Sequence, residues 1–178
     1  MRKISCMQSK HPSESRTVMT DIVLPGETNI LKNLFGGELL ARMDRAASIA
    51  AGRHSEGITV TASVNHVAFT QAVPLGSVVT IEAAVSRAFS TSMEVFIDVW
   101  IEDRFSGKRS KANEGIYTFV ALDDTGKPKK VPPLEPETEL EKERFEAALR
   151  RKQLSLVLAG KMKPEEATEL RALFMGAP

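Results

Sequence analysis

Cysteine is nearly missing from this chain: Cys6 is the only one among 178 residues. An intrachain disulfide is impossible, and no zinc site can be assembled from thiolates. Histidine is almost as scarce, and His11, His54 and His66 are too scattered to make an all-His metal site. No metal and no cofactor is expected. Long apolar runs are missing too. No stretch approaches the ~20 residues a membrane-spanning helix needs, and the basic start, Met1 to Lys10, lacks the apolar run of a secretory signal. The expected location is therefore the cytoplasm, with no membrane partner. Charge of one sign is absent as well: 24 Lys and Arg against 23 Asp and Glu leave a formal net charge of +1. No global field favours nucleic acid, so any electropositive site must be local.

What remains is ordinary for a globular chain, with 42% hydrophobic and 26% charged residues. The length suits one domain with some decoration and a genuine core. Three segments are expected: a flexible arm over 1–16, a folded domain over 17–126, and a proline-containing linker with a helical tail over 127–178. Val18, Ile22, Val23 and Leu24 read as a strand stopped by Pro25-Gly26. Gly36-Gly37 then opens a helix to about Ala51-Gly52. At ~100° per residue Leu40, Met43, Ala46, Ala47, Ala50 and Ala51 share its inner face, opposed by Glu38, Arg42 and Arg45.

Four strand-like segments follow. Val60, Ala62 and Val64 alternate with Thr59, Thr61 and Ser63, and the phase slips at Asn65-His66, which predicts a bulge. Val79 to Val85, Met93 to Ile101 and about Lys111 to Leu122 alternate in turn. Short turns between long strands point to antiparallel pairing, and one helix without βαβ alternation points to α+β, a sheet wrapped around a single helix. Ile116, Thr118, Val120 and Leu122 are assigned to the covered face. Phe96, Trp100, Tyr117 and Phe119 are left on the other, for a subunit interface or the C-terminal tail to cover. The tail is expected to be helical from about Glu137, with a second short helix from Lys163-Pro164 presenting Leu170, Leu173 and Phe174 as a docking face.

For chemistry, no G-x-S-x-G elbow supplies a nucleophilic serine. His54, at a helix end, reads as a cation favoured by the dipole, and His66 as structural. Gly36-Gly37 lacks the spacing of a phosphate loop, yet two glycines opening a helix expose N–H groups to an anion or a developing oxyanion. Asp44 is the informative residue. It lies about two turns into the helix, roughly 40° from Leu40 and 20° from Ala51, bordering the inner arc. A carboxylate there is unfavourable unless paired, bonded or protonated. Ion pairing with Arg45, Arg53 or a partner's cation is the plain explanation. An acid, the amide of Asn29 and a dipole end are also the parts that hydrolyse an activated acyl group.

The run Thr28-Asn29 … Leu34-Phe35-Gly36-Gly37-x-Leu39 … Met43-Asp44 closely resembles the signature of the hotdog-fold acyl-CoA thioesterases, the cytosolic acyl-CoA hydrolase branch. Thr61-Ala-Ser-Val64, Phe69-x-x-x-Val73-Pro74-x-Gly76, Thr91-Ser-Met-Glu-Val95 and Thr118-Phe-Val-Ala-Leu-Asp123 extend the match over roughly 17–151. The resemblance implies a hotdog fold with a C-terminal helical extension, dimerised sheet to sheet and assembled as a trimer of dimers. It implies hydrolysis of acyl-CoA to a carboxylic acid and coenzyme A, with Asn29 and Asp44 as catalytic residues from different subunits. Asp44 would be general base or nucleophile. Phe35, Gly36 and Gly37 would position the acyl group and its oxyanion. Ser92, Lys108, Arg109 and Lys111 would hold coenzyme A, with Lys127, Lys129 and Lys130 the next cations. Lys32 stands where the family usually has glycine, Asn65 where many members have an acid, and Ser90 where a basic residue is frequent. A dehydratase motif is absent. A non-catalytic acyl-CoA-sensing module is the alternative.

Overall fold

The structure is a computed structural model and describes residues 7–175. Two compact units make up the chain, Met1–Glu135 and Pro136–Pro178. In the first, helix α1 (Pro12–Ser15) leads into β1 (Thr17–Ile22). A 3-10 turn (Pro25–Glu27) and a loop then lead into the long helix α2 (Gly36–Ser55). Four strands complete it: β2 (Ile58–Phe69), β3 (Val78–Ala88), β4 (Ser92–Glu102) and β5 (Arg109–Leu122). All pairs are antiparallel, in the order β1-β3-β4-β5-β2. The sheet curves around α2, as the sequence leads one to expect.

The alanine face explains how closely helix and sheet pack. Ala46, Ala47, Ala50 and Ala51 are fully buried, and their small side chains let the sheet approach the helix backbone. Gly115 completes the fit, since a Cβ there would run into Met43 Cε. The helix continues past Gly52 to Ser55, where Glu56 adopts the left-handed conformation that ends it (φ 51°). Arg42 is not a solvent residue. It is 4% exposed and pairs with Glu27 at 2.6 Å and Asp21 at 3.5 Å, which ties the 3-10 turn and the end of β1 to the helix. Leu39, rather than Leu40, supplies the most buried leucine of its first turns.

The sheet corrects the expected faces of β2 and β5. Tyr117 and Phe119 are each 1% exposed and share the helix side with Gly115, Val95 and Met93. Phe96 and Trp100 do lie on the outer face, half-buried. On β2 the register puts Thr61 opposite Phe119 and Phe69 opposite Asn113, so these two face the helix side, and Val60 does not. Register shifts at Thr61/Ser63 and Val64/His66 carry the expected irregularity. Alternation misled here because both faces of these strands carry apolar residues, and parity alone cannot say which one the helix covers.

The N-terminal arm falls partly outside the described residues. From Lys10 on it packs: Lys10 N–H donates to the Pro133 carbonyl at 2.9 Å, and Ser15, fully buried, accepts from Val85 N–H at 2.9 Å. Residues 127–135 also belong to the first unit. Lys129 N–H bonds Ala121 and Val131 N–H bonds Ser90, so the boundary follows Glu135 instead of preceding Lys127. In the second unit, α3 (Glu139–Leu158) begins with a capping box, Thr138 Oγ1 accepting from Glu141 N–H at 3.2 Å and Glu141 accepting from Thr138 N–H at 2.9 Å. Helix α4 (Thr168–Met175) follows a 3-10 turn, and its Leu173 and Phe174 are exposed. Among the described residues no helix is long and apolar enough to cross a membrane.

Candidate active site

The loop before α2 is held in place through its backbone. Leu34 N–H donates to the Val73 carbonyl at 2.7 Å, Leu75 N–H to Lys32 at 2.8 Å, and Phe35 N–H to Glu27 at 2.9 Å. Lys32 turns the chain with φ 57°, the left-handed region that a glycine adopts without strain. Within this frame Asn29 is half-buried, and its Oδ1 accepts from Leu31 N–H at 2.9 Å and Asn33 N–H at 3.2 Å. Two backbone donors fix the amide's orientation, so Nδ2 is the group left to face a ligand. The free hydrogen-bonding group of Asn29 is therefore a donor.

Asn29 lines a cleft of about 370 Å³ with Asn33, Gly36, Leu39, Phe69 and Asn113 among others, a size fit for a small acyl group. At its rim α2 begins without a side-chain cap. Leu39 N–H donates to Phe35 at 3.0 Å, which leaves the N–H groups of Gly36, Gly37 and Glu38 without intrahelical acceptors at the positive end of the dipole. Gly36 lines the cleft, with the Phe69 ring 3.5 Å from where a Cβ would be; Gly37 and Phe35 are exposed.

Asp44 stands elsewhere. It is half-buried and accepts a hydrogen bond from Thr61 Oγ1 at 2.8 Å. Among the described residues no cation lies within ion-pair distance of it, and Arg53 instead reaches Thr17 and the Arg16 carbonyl. Ion pairing with Arg45 or Arg53 of the same chain does not account for this acid. Beneath it Tyr117 donates to the Leu40 carbonyl at 3.3 Å, and burial, reinforced by the Asp44 charge, pushes the phenol up to about 12. Tyr117 is thus a fixed neutral wall. Thr61, which orients the carboxylate, escaped the sequence reading because strand alternation assigned it to the solvent side.

Asp44 does not line the Asn29 cleft. Thr61 and Phe69, the β2 residues beside the two groups, pair with Phe119 and Asn113 of β5, six positions apart once the two register shifts are allowed for, roughly 20 Å along a strand. The coenzyme A residues divide in the same way. Ser92 and Val60 both pair with Val120, so Ser92 is at the Asp44 end of the sheet. Lys108, Arg109 and Lys111 are at the other end. Of these, Arg109 pairs with Glu82 at 2.9 Å and lies over Trp100, and Lys111 bridges Asp98 and Glu114 at 2.8 Å each. Those carboxylates outweigh the burial that opposes the Lys111 charge and raise its pKa. The three do not form an unpaired basic cluster, because the outer sheet face supplies acids across from them.

His54 also departs from expectation. It is fully buried and bonds the Pro132 carbonyl through Nε2 at 2.9 Å, while Nδ1 has no partner among the described residues. Burial lowers its pKa, so it is a neutral packing residue and not a cation on the helix dipole.

A sheet curved around one long helix, with a cleft at the helix start, has close counterparts. Residues 31–106 match the family model described as the thioesterase superfamily. The chain is 42% identical over 134 residues to the uncharacterized acyl-CoA thioester hydrolase YkhA of Bacillus subtilis, covering 75% of this chain and 78% of that one. The chain belongs to this thioesterase family. Its fold is the hotdog fold: a hexameric acyl-CoA thioesterase solved without ligand superposes with a TM-score of 0.83 at 39% identity, over 86% of this chain and 98% of that one. The acyl-CoA hydrolase of Staphylococcus aureus, solved with butyryl coenzyme A, coenzyme A and coenzyme A disulfide, gives 0.79 at 36% identity, over 92% and 99%. That enzyme has also been solved with an asparagine, an aspartate or a threonine replaced by alanine. In this thioesterase, the helix start and the Asp44–Thr61 pair both lie on the helix side of the curved sheet.

Proposed function

We propose that the chain hydrolyses acyl-CoA thioesters in a site completed by two copies of itself. Hydrolysis of acyl-CoA is the activity its family relatives carry in their names, and the cleft offers what that reaction needs. The observation that carries the two-copy reading is the separation of the halves: Asn29 at the Phe69 end of β2, Asp44 at the Thr61 end. Strand β2 is an edge, twelve residues long, with Ile58, Val60, Val64 and Phe69 all exposed. An apolar edge of that length is a template for another strand. If two β2 edges pair antiparallel about a two-fold axis near Asn65, Thr61 of one copy lies opposite Phe69 of the other. Each Asp44 then sits beside its partner's Asn29 cleft. Two solved relatives are described as hexamers, which is consistent with such pairing recurring in a homo-oligomer.

Within that site Asn29 Nδ2 would donate to the thioester carbonyl and hold it against the N–H groups of Gly36 and Gly37. Asp44, oriented by Thr61, would take the proton of an attacking water, or attack the carbonyl itself to give, after thiolate loss, a mixed anhydride that water then hydrolyses to the carboxylic acid and free Asp44. The tetrahedral oxyanion would collapse with loss of the coenzyme A thiolate. Relatives altered to alanine at an asparagine, an aspartate and a threonine support this choice, since Asn29, Asp44 and Thr61 are the same residue types. Phe35 would flank the entrance, and Ser92 and Lys108 would contact coenzyme A from opposite copies. The test is thiol release from acyl-CoA esters by wild type, Asn29→Ala and Asp44→Asn. Each variant should lose about 10²–10⁴ in kcat while eluting as the wild-type oligomer; near-normal turnover in both would remove the mechanism. Binding of acyl-CoA by the wild type without thiol release would favour the sensing module instead.

A further inference from the structure

Asn113 is a buried polar group that the reaction above does not use. It lies on β5 opposite Phe69, on the helix side, and is 2% exposed. Its Oδ1 accepts from Thr70 N–H at 3.0 Å, and the corner after β2 is clamped around it. Gln71 N–H donates to the Ala112 carbonyl at 3.1 Å, and the Thr70 hydroxyl donates to the same carbonyl. With the oxygen so occupied, the amide cannot turn over, and Nδ2 has no acceptor among the described residues. Buried amide N–H groups are almost always bonded, so an unbonded one on a residue that lines a cleft points to a ligand atom.

The wall around it is mostly apolar: Leu34, Leu39, Phe69 and Val73. Asn29 is half-buried in the same cleft and Asn113 almost wholly so, which puts Asn113 deeper. A thioester held at Asn29 would send its acyl group toward Asn113. We propose, building on the thioesterase reading, that Asn113 Nδ2 donates to the acyl group itself. The cleft then favours acyl-CoA esters bearing an acceptor oxygen, such as hydroxyacyl or ketoacyl groups, over plain aliphatic ones. An aliphatic chain would leave the donor unpaired, and pockets built around a hydrogen bond discriminate strongly against ligands that lack it.

The experiment compares kcat/KM for butyryl-CoA with 2-, 3- and 4-hydroxybutyryl-CoA and acetoacetyl-CoA, by thiol release from the full chain. Wild type should prefer at least one oxygenated ester by about tenfold or more. Asn113→Asp keeps an oxygen for Thr70 N–H and replaces the donor by an acceptor, so that preference should fall by a similar factor. Asn113→Leu, checked for wild-type melting and elution, should do the same. A wild type without preference overturns the inference. So does a ratio that neither variant moves, or an equal loss on all esters, which would assign Asn113 to the thioester or to a bound water. Wild type that releases thiol from no ester rejects the thioesterase reading itself, and this inference with it.

Discussion

Mixing two inactive variants should restore activity. Asn29→Ala keeps Asp44, and Asp44→Asn keeps Asn29; each alone should retain no more than about 10⁻² of wild-type turnover. The Asn29 cleft and the Asp44–Thr61 pair flank positions of β2 eight residues apart, so neither chain can complete a site by itself. Random exchange of equal amounts makes half of all pairs mixed. In a mixed pair one site combines the intact Asn29 of one chain with the intact Asp44 of the other, and the second site carries both substitutions. One good site in two, in half of the pairs, gives about a quarter of wild-type turnover. That is about 25-fold or more above either parent. The assay is thiol release after co-expression with two different affinity tags and tandem purification of the mixed species, which should show about half of wild-type activity. Mixed species as inactive as the parents would refute the two-copy site, and Asn29 and Asp44 would have to act within one chain or not at all.

Thr61→Ala should lower kcat/KM by about tenfold, the loss expected for one hydrogen bond to a charged group, and Thr61→Ser should recover most of it, because the hydroxyl to Asp44 returns. Lys32→Gly should raise stability by about 0.5–1 kcal/mol in denaturant unfolding, since glycine meets no Cβ clash at φ 57°; a lower midpoint would mean the lysine side chain stabilises the loop. His54 has a folded-state pKa below its ordinary 6.5, first because burial disfavours the cation. Its contribution to stability is therefore complete above about pH 6.5 and lost as pH falls from there through the folded value, because the unfolded chain takes up the proton first. Melting followed from pH 7.5 to 5 should show that decline, and His54→Leu should flatten it.

The alternation of apolar residues, the alanine face of α2, the Gly-Gly helix start and the slip at Asn65 were enough to read a sheet wrapped around one helix, and the motif around Asn29 and Asp44 was enough to name its family. These features are local, set by helix and strand periods that a linear chain displays directly. The sidedness of β2 and β5 was not legible, and with it went Thr61, Tyr117 and Asn113. Both faces of those strands are apolar, and only the fit of Met43 against Gly115 decides which one the helix covers. Arg42 was misplaced for a related reason: its carboxylate partners Asp21 and Glu27 come from strand β1 and the 3-10 turn after it, and a helical wheel cannot see them. The tertiary structure also set the distance between Asn29 and Asp44, which lie fifteen residues apart in sequence yet at two ends of an edge strand. Residue order determined which groups the protein carries; long-range packing determined which of them face the same space.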